Sequence, residues 1–183
     1  MYLENYNAIY IGVPGINTST ILECFGSPAC DAHSKNLLPH AIINVHGYDV
    51  WSSSYKFVFV KNPWARMLSI YHNKKRQVSK LPTFSIWLKK NINKHRILPQ
   101  LAFYTDTNYN SCVDFVGKVE NFENDIKTIY KNVNRSNIAM LNNFDKITAK
   151  LNNLSYKMYY SKDNANLVKR YFAKEIEMLE YKF

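Results

Sequence analysis

Acidic residues are missing from a long central part of the chain. No Asp or Glu occurs between Val50 and Thr105, whereas this stretch holds eleven Lys and Arg residues. The chain of 183 residues carries a formal net charge of +10. Such a balance favours anionic partners: nucleotides, sulfated or phosphorylated glycans, nucleic acid or acidic lipid. We expect the basic stretch to form one positive surface. The alternative is that Lys is simply abundant throughout, which explains the missing acids less well.

Several other features are scarce or absent. The three cysteines, Cys24, Cys30 and Cys112, have no metal-ligand spacing, so we expect reduced thiols and no metal. Residues 1–7 lack a basic start followed by an apolar run, and no apolar run approaches the ~20 residues of a membrane helix. The Walker A pattern G-x-x-x-x-G-K-[ST] is also missing. We therefore expect a soluble, cytoplasmic protein without a signal peptide or a membrane span.

Hydrophobic residues make up 46% of the chain, which indicates a globular protein. The length suits one domain, and we expect residues 1–183 to form it. Strand patterns alternate with helix patterns, which predicts an α/β fold with a central, mostly parallel sheet flanked by helices. Strands are expected at Ala8–Val13, Tyr55–Val60 and Asp114–Val119, with Ala41–Val45 left open between strand and helix. Helices are expected at Thr18–Phe25, Pro63–Arg76, Pro82–Asn93 and Asn121–Tyr130, followed by a long C-terminal helix from Ser161 or Asp163 to Leu179.

The first segment that bears on chemistry is IYIGVPGINTSTI, Ile9 to Ile21. A buried strand leads into a tight turn, and the turn leads into a helix that begins with three hydroxyl residues. Backbone N–H groups in such a turn, together with the helix dipole, make an anion site. A Ser/Thr-rich helix start is more often only a cap, so this signal is weak when taken alone.

The second segment is YKFVFVKNPWARMLSIYH, Tyr55 to His72. Lys61 follows the strand at the carboxyl edge of the sheet, where α/β folds bind ligands. Ser69 lies on the helix that Asn62-Pro63 starts. Lys61 and Ser69 together suit one phosphate group, and Arg66 either joins them or is a structural residue buried against an acid.

These segments resemble those of sulfotransferases that use 3'-phosphoadenosine 5'-phosphosulfate (PAPS), and most of all the carbohydrate type with its heparan and chondroitin enzymes and small bacterial relatives. The second segment is similar to the 3'-phosphate motif [RK]-N-P-x-x-R-x-x-S-x-Y. Val13–Ile21 is similar to the 5'-phosphosulfate loop, a P-loop-like turn. Val113–Ile126 and Tyr159–Phe183 resemble two later family segments, so the likeness touches most of the chain in order.

The resemblance implies transfer of a sulfuryl group from PAPS to a hydroxyl acceptor, usually a carbohydrate, without a metal and with adenosine 3',5'-bisphosphate (PAP) as product. It makes His40 the candidate base, because histidine side chains exchange protons near neutral pH. A structural or substrate-bonding histidine is the alternative there, and His46 and His72 are weaker candidates. The acceptor loops are expected at residues 26–36, 74–80 and 105–111. The implied PAPS-binding residues are Pro14, Gly15, Ile16, Asn17, Thr18, Ser19 and Thr20 for the 5'-phosphosulfate, and Lys61 and Ser69 for the 3'-phosphate.

The chain departs from the family pattern at four positions. Gly15 replaces a loop lysine, and the loss of one preorganised donor of this kind costs on the order of 10²–10³ in rate. Asn17 replaces a loop glycine, Lys61 replaces an arginine and loses its bidentate fork, and Glu180 replaces a glycine near the end. These departures leave PAPS binding better supported than turnover.

Three other functions stay open at this point. One is a degenerate homologue that binds PAPS or another nucleotide with little or no activity. Another is a basic nucleic-acid-binding protein, supported by the +10 charge and the 14 tyrosines, although the tyrosines lie in apolar runs as core aromatics do. The third is a P-loop kinase, which the missing Gly-Lys-Ser/Thr disfavours. The acceptor is expected to be a carbohydrate or another hydroxylated molecule, anionic if the basic surface contacts it.

Overall fold

The computed structural model describes residues 1–26, 39–94, 96–133 and 155–183. Within these ranges the chain is a mixed α/β protein with one four-stranded sheet, ordered β1-β2-β3-β4. The strands are β1 (Tyr2–Leu3), β2 (Ala8–Ile11), β3 (Tyr55–Val60) and β4 (Phe115–Lys118). β1 pairs with β2 antiparallel, while β2 with β3 and β3 with β4 are parallel. The predicted fold class, a mostly parallel sheet with helices, is therefore confirmed.

Eight α-helices are described. They are α1 (Thr18–Glu23), α2 (Pro39–His46), α3 (Tyr48–Ser53), α4 (Pro63–Gln77), α5 (Phe84–Asn93), α6 (Phe122–Asn132), α7 (Lys162–Tyr171) and α8 (Ala173–Met178). The open segment at 41–45 is thus helical. None of the helices in the described ranges combines the length and the apolar character needed to cross a bilayer. The chain separates into two compact units, one from Met1–Val60 and Leu101–Asn153, the other from Lys61–Gln100 and Leu154–Phe183. The single domain expected from the sequence stays a prediction.

The first unit is built on the sheet. The strand β2 is fully buried, as is the second half of β3, because apolar side chains occupy both of their faces. Gly117 of β4 lies against the ring of Phe59, so that a β-carbon at this position would come within 2.7 Å of the ring. The Phe59 ring is itself buried and lies 5.0 Å from the ring of Phe122 on α6. A glycine is required here because the aromatic ring fills the space of a side chain.

Acidic side chains support the two ends of β4. The carboxylate of Asp114 accepts a hydrogen bond from the backbone N–H of Lys56 at 2.7 Å and lies 3.2 Å from the Lys56 ammonium. The carboxylate of Asp125, in the first turn of α6, accepts a hydrogen bond from the N–H of Lys118 at 2.6 Å. The third sequence segment, Val113–Ile126, therefore contains acids that shape the β4–α6 connection.

The second unit packs α4, α5 and α7 around an apolar cluster that includes Trp64, Leu68, Trp87 and Phe172. The prediction of one long C-terminal helix is wrong in one respect, because the structure has two helices there, α7 and α8. Phe172 leaves helical geometry with φ −105° and ψ 28°, although its N–H still donates to the Val168 carbonyl and its carbonyl still accepts from Ile176. The predicted cap at Ser161 is confirmed, since its hydroxyl accepts from the Asn164 N–H at 3.3 Å.

Candidate functional site

The start of α4 is held by the side chain of Asn62. Its carbonyl oxygen accepts hydrogen bonds from the N–H groups of Trp64 at 3.1 Å and Ala65 at 3.5 Å, and its amide donates to the Lys182 carbonyl at 2.9 Å. Pro63 occupies the first helical position, where a missing N–H costs nothing and the fixed φ suits the helix. The sequence N-P therefore fixes the point at which β3 gives way to α4, and with it the position of the preceding Lys61.

Lys61 and Ser69 lie together. The Lys61 ammonium donates a hydrogen bond to the Ser69 hydroxyl at 3.2 Å, and that hydroxyl donates to the carbonyl of Ala65 at 3.0 Å. Both side chains are half-buried, so they are reachable from solvent and partly shielded from it. A hydroxyl can rotate to donate to a different acceptor. The structure thus brings the Lys61 ammonium and the Ser69 hydroxyl together, and their binding of one anionic group stays a prediction.

Arg66 has a structural environment. It is 1% exposed, its guanidinium donates to the Leu98 carbonyl at 3.0 Å, and it lies 5.9 Å from the ring of Phe172. Burial lowers the pKa of the Arg66 guanidinium to about 10, while the negative charge of Glu175 opposes that shift. Of the two roles open from the sequence, the buried partner of an acid fits this environment, and that acid is Glu175.

Two residues that sequence reasoning missed support Lys61: Gln100 bonds its backbone, and Glu175 bonds Gln100. The Gln100 side chain accepts from the Lys61 N–H at 2.9 Å and donates to the Lys61 carbonyl at 2.8 Å. Gln100 in turn donates to the Glu175 carboxylate, from its backbone N–H and, at 2.7 Å, from its side-chain amide. The sequence signals were two polar residues in apolar surroundings. Gln100 interrupts the apolar stretch from Ile97 to Phe103, and Glu175 lies on a helix face whose residues three and four positions away are apolar: Tyr171, Phe172, Met178 and Leu179.

The predicted 5'-phosphosulfate loop begins with a tight turn. The Ile16 N–H donates to the Val13 carbonyl at 3.2 Å, with Pro14 and Gly15 at the two central positions and a φ of 92° at Gly15. This is the signature of a type II turn, whose third residue requires a positive φ and so favours glycine. The glycine that replaces the family's lysine is thus the residue that this turn geometry demands.

Hydrogen bonds within the loop engage two of the expected anion donors. The Ile16 N–H is used in the turn, and the Thr18 N–H donates to the Ile16 carbonyl at 2.9 Å. The N–H groups of Ser19 and Thr20 remain as first-turn donors that no helical carbonyl reaches. Thr18 and Thr20 are 6% and 2% exposed, whereas Ser19 is half-buried and its hydroxyl donates to the Asn17 side chain at 2.9 Å. Ser19 is consequently the most accessible hydroxyl of the three.

The candidate histidines lie on different elements. His40 is the second residue of α2, with an exposed side chain, and His46 ends the same helix with its ring 5.7 Å from that of Tyr2. His72 lies on α4, and burial together with the charges of Lys75 and Arg76 lowers its pKa. The base role of His40 stays a prediction. In the expected acceptor loops, residues 27–36 fall outside the described residues, as does Cys30. Cys24 and Cys112 are both free thiols.

An α/β fold that presents a lysine and a serine where a parallel strand passes into a helix defines a protein suited to an anionic ligand. Comparison with known families makes this specific: residues 32–182 match the model of the sulfotransferase family, and the chain belongs to that family. The match contains Lys61, Ser69 and the C-terminal helices. It begins after Val13–Ile21, so the assignment of that loop rests on the sequence resemblance.

The chain is similar to a protein of Archaeoglobus fulgidus that is named "Uncharacterized protein". It is 34% identical over 102 residues, which cover 50% of this chain and 82% of the relative. No solved structure matches the chain significantly.

Proposed function

We propose that this protein is a PAPS-dependent sulfotransferase that moves a sulfuryl group to a hydroxyl group of a carbohydrate acceptor. The observation that carries the proposal is the Lys61–Ser69 pair, whose ammonium and hydroxyl lie 3.2 Å apart beside the second turn of α4. It occurs inside the range that matches the sulfotransferase family, in the segment that resembles that family's 3'-phosphate motif.

The proposed role of the pair is to bind the 3'-phosphate of the nucleotide. A phosphate dianion has several acceptor oxygens, and hydrogen bonds from an ammonium to phosphate are charge-assisted and short. Lys61 supplies a compact point charge where the family motif usually has the planar fork of an arginine, so the geometry is less restrictive. Ser69 turns its hydroxyl from the Ala65 carbonyl to a phosphate oxygen, while the carbonyl keeps its helical partner.

The proposed role of the Val13–Ile21 segment is to hold the 5'-phosphosulfate. Its donors are the first-turn N–H groups of Ser19 and Thr20, which no helical carbonyl reaches, and the half-buried hydroxyl of Ser19. Pro14 and Gly15 shape the turn, and Asn17 lies beside Ser19. The loop has no cation at Gly15, so the charge on the leaving phosphate is stabilised there by uncharged donors, the N–H groups of Ser19 and Thr20 and the Ser19 hydroxyl.

The proposed reaction is an in-line displacement at sulfur. The acceptor oxygen forms a bond to sulfur while the bond between sulfur and the bridging phosphate oxygen breaks. The electron pair of the broken bond stays with the phosphate, which leaves as part of PAP. The acceptor hydroxyl gives its proton to a base, for which His40 is the candidate.

The charge distribution favours an anionic acceptor. The second unit, Lys61–Gln100 with Leu154–Phe183, contains sixteen Lys and Arg residues and four acids, a formal net charge of +12. The rest of the chain has a formal net charge of −2. Positive potential on the unit that holds Lys61 attracts a sulfated or carboxylated glycan as well as the nucleotide.

The test is calorimetric titration with PAP and with adenosine 5'-phosphate, which lacks the 3'-phosphate. We expect PAP to bind more tightly. Lys61→Met should weaken PAP binding ~10–100-fold and Ser69→Ala ~10-fold, because both residues bond a charged phosphate but only the lysine brings a charge of its own, with little change for adenosine 5'-phosphate. Lys74→Met, which removes an exposed lysine from the same helix, is the matched control and should leave both affinities unchanged.

Absence of PAP binding at millimolar concentration would overturn the proposal. Binding of PAP without release of PAP from PAPS in the presence of hydroxylated acceptors would indicate the inactive homologue instead. Tight, salt-sensitive binding of single-stranded nucleic acid that PAP does not displace would indicate the nucleic-acid-binding alternative.

A further inference from the structure

The backbone of Lys61 is held by a side chain where no strand pairing is described. β3 ends at Val60, and its pairing with β4 ends at the Val60–Lys118 position. One residue further, the Gln100 amide bonds both the N–H and the carbonyl of Lys61, at 2.9 and 2.8 Å. These are the two hydrogen bonds that a neighbouring strand residue would make. Gln100 therefore extends the β-type hydrogen bonding to the residue that carries the ammonium.

Gln100 is in turn held by Glu175. The carboxylate accepts from the Gln100 backbone N–H and from its side-chain nitrogen, which also donates to the Lys61 carbonyl. Each polar atom of the Gln100 amide thus has a partner, and the orientation of the amide is fixed by them. Gln100 is fully buried and Glu175 is 1% exposed, as is Arg66, whose charge faces Glu175.

This arrangement goes beyond stabilisation of the fold. Buried polar groups are costly unless every hydrogen bond is made, and a fully satisfied network is correspondingly rigid. Here the network ends on the backbone of one residue, the lysine whose ammonium lies next to Ser69. A long lysine side chain loses rotamer freedom when it binds phosphate, and a fixed backbone limits how much further freedom is lost.

We propose that Gln100 and Glu175 are positioning residues for Lys61, which set the affinity of the protein for a 3'-phosphate without touching the nucleotide. The inference rests on the proposed function of the Lys61–Ser69 pair. Gln100 fixes the backbone of Lys61 by its two hydrogen bonds, and Glu175 fixes the amide of Gln100. The positive charge of Arg66 stabilises the buried carboxylate of Glu175.

The experiment compares PAP with adenosine 5'-phosphate in the variants Gln100→Met and Glu175→Gln, each of similar volume to the original residue. We expect Gln100→Met to weaken PAP binding ~10-fold and to change adenosine 5'-phosphate binding less than ~2-fold. Glu175→Gln keeps one carbonyl acceptor for Gln100 and should give a smaller loss in the same direction. In a Lys61→Met background, Gln100→Met should cause no further loss of PAP affinity, because its effect passes through Lys61.

Asn164→Ala provides the matched control. Asn164 is a buried polar residue of the same unit, 2% exposed, whose amide donates to the Ser85 hydroxyl at 2.9 Å. This variant should lower the melting temperature and leave the ratio of the two affinities unchanged. If Gln100→Met does not fold, Glu175→Gln tests the positioning role instead. In that variant we expect weaker PAP binding and faster hydrogen exchange at the Lys61 amide.

The outcomes separate the two proposals. Absence of PAP binding by the unaltered protein overturns the proposed function and this inference with it. PAP binding that Lys61→Met weakens but that Gln100→Met and Glu175→Gln leave unchanged overturns the positioning role alone. Equal losses for the two nucleotides, or a Gln100→Met effect that persists in the Lys61→Met background, also contradict it.

Discussion

Replacement of the buried Arg66 by methionine tests the electrostatic balance of the second unit. Methionine fills much of the volume of the arginine stem but removes its charge. Arg66 is 1% exposed, and its guanidinium donates to the Leu98 carbonyl at 3.0 Å. Its positive charge also interacts favourably with the negative charge of Glu175. The substitution therefore leaves a buried carboxylate without its cation and a carbonyl without its donor.

The expected cost follows from these losses. Breaking a buried ion pair by removing one partner typically destabilises a protein by ~3–5 kcal/mol, because the remaining charge is uncompensated. The hydrogen bonds from Gln100 to Glu175 persist, so we expect the lower part of this range, ~3 kcal/mol. Removing the charge of Glu175 as well, in Arg66→Met/Glu175→Gln, should give a smaller loss than the sum of the two single variants, by at least ~1 kcal/mol.

Urea denaturation followed by circular dichroism measures the free energy of unfolding of each variant. Arg76→Met is the matched control, because Arg76 is an exposed arginine near the end of the same helix and should change stability by less than ~0.5 kcal/mol. An Arg66→Met variant within ~1 kcal/mol of the unaltered protein, or strictly additive losses in the double variant, would refute the reasoning.

Two further substitutions test close approaches of the backbone. Gly117→Ala puts a methyl group 2.7 Å from the buried ring of Phe59 and should lower the free energy of unfolding by ~1–3 kcal/mol. Phe59→Leu is itself destabilising, so the double variant should lose less stability than the sum of the two single variants. An unchanged midpoint in urea for Gly117→Ala would contradict the account. Gly15→Lys restores the side chain usual in the family but places it at a backbone φ of 92°. We therefore expect the free energy of unfolding in urea to fall by ~1–2 kcal/mol. A Gly15→Lys variant that is as stable as the unaltered protein and transfers the sulfuryl group faster would show that the turn does not require glycine.

The sequence predicts the bounds of strands and helices best where residue preference and turn residues point to the same boundary. β3 has the predicted bounds, Tyr55–Val60, because a β-branched and aromatic run ends at Asn-Pro, and the same dipeptide fixes the start of α4. The two-residue strand β1 was missed, because nothing local distinguishes it and it exists through its pairing with β2. The interruption at Phe172 was missed for a similar reason, since no glycine or proline marks it.

The candidate site shows the same division. Lys61 and Ser69 were predicted to lie close together because one follows the end of a strand and the other lies eight positions later, on the helix that comes next. Their hydrogen bond is observed. Gln100 and Glu175 are 75 positions apart and meet only in the folded unit, so no spacing rule could pair them. Gly117 and Glu180 are two positions whose backbone requirements could not be predicted from the sequence. The need for glycine at 117 depends on the Phe59 ring from another strand. Glu180 adopts a φ of 56°, in the left-handed region that favours glycine.

A structure determined with PAP bound tests the central claim most directly. The account predicts that the 3'-phosphate lies within hydrogen-bond distance of both the Lys61 ammonium and the Ser69 hydroxyl, with that hydroxyl turned away from the Ala65 carbonyl. A nucleotide whose 3'-phosphate is bound by other residues, with the hydrogen bond between Lys61 and Ser69 undisturbed, would contradict it.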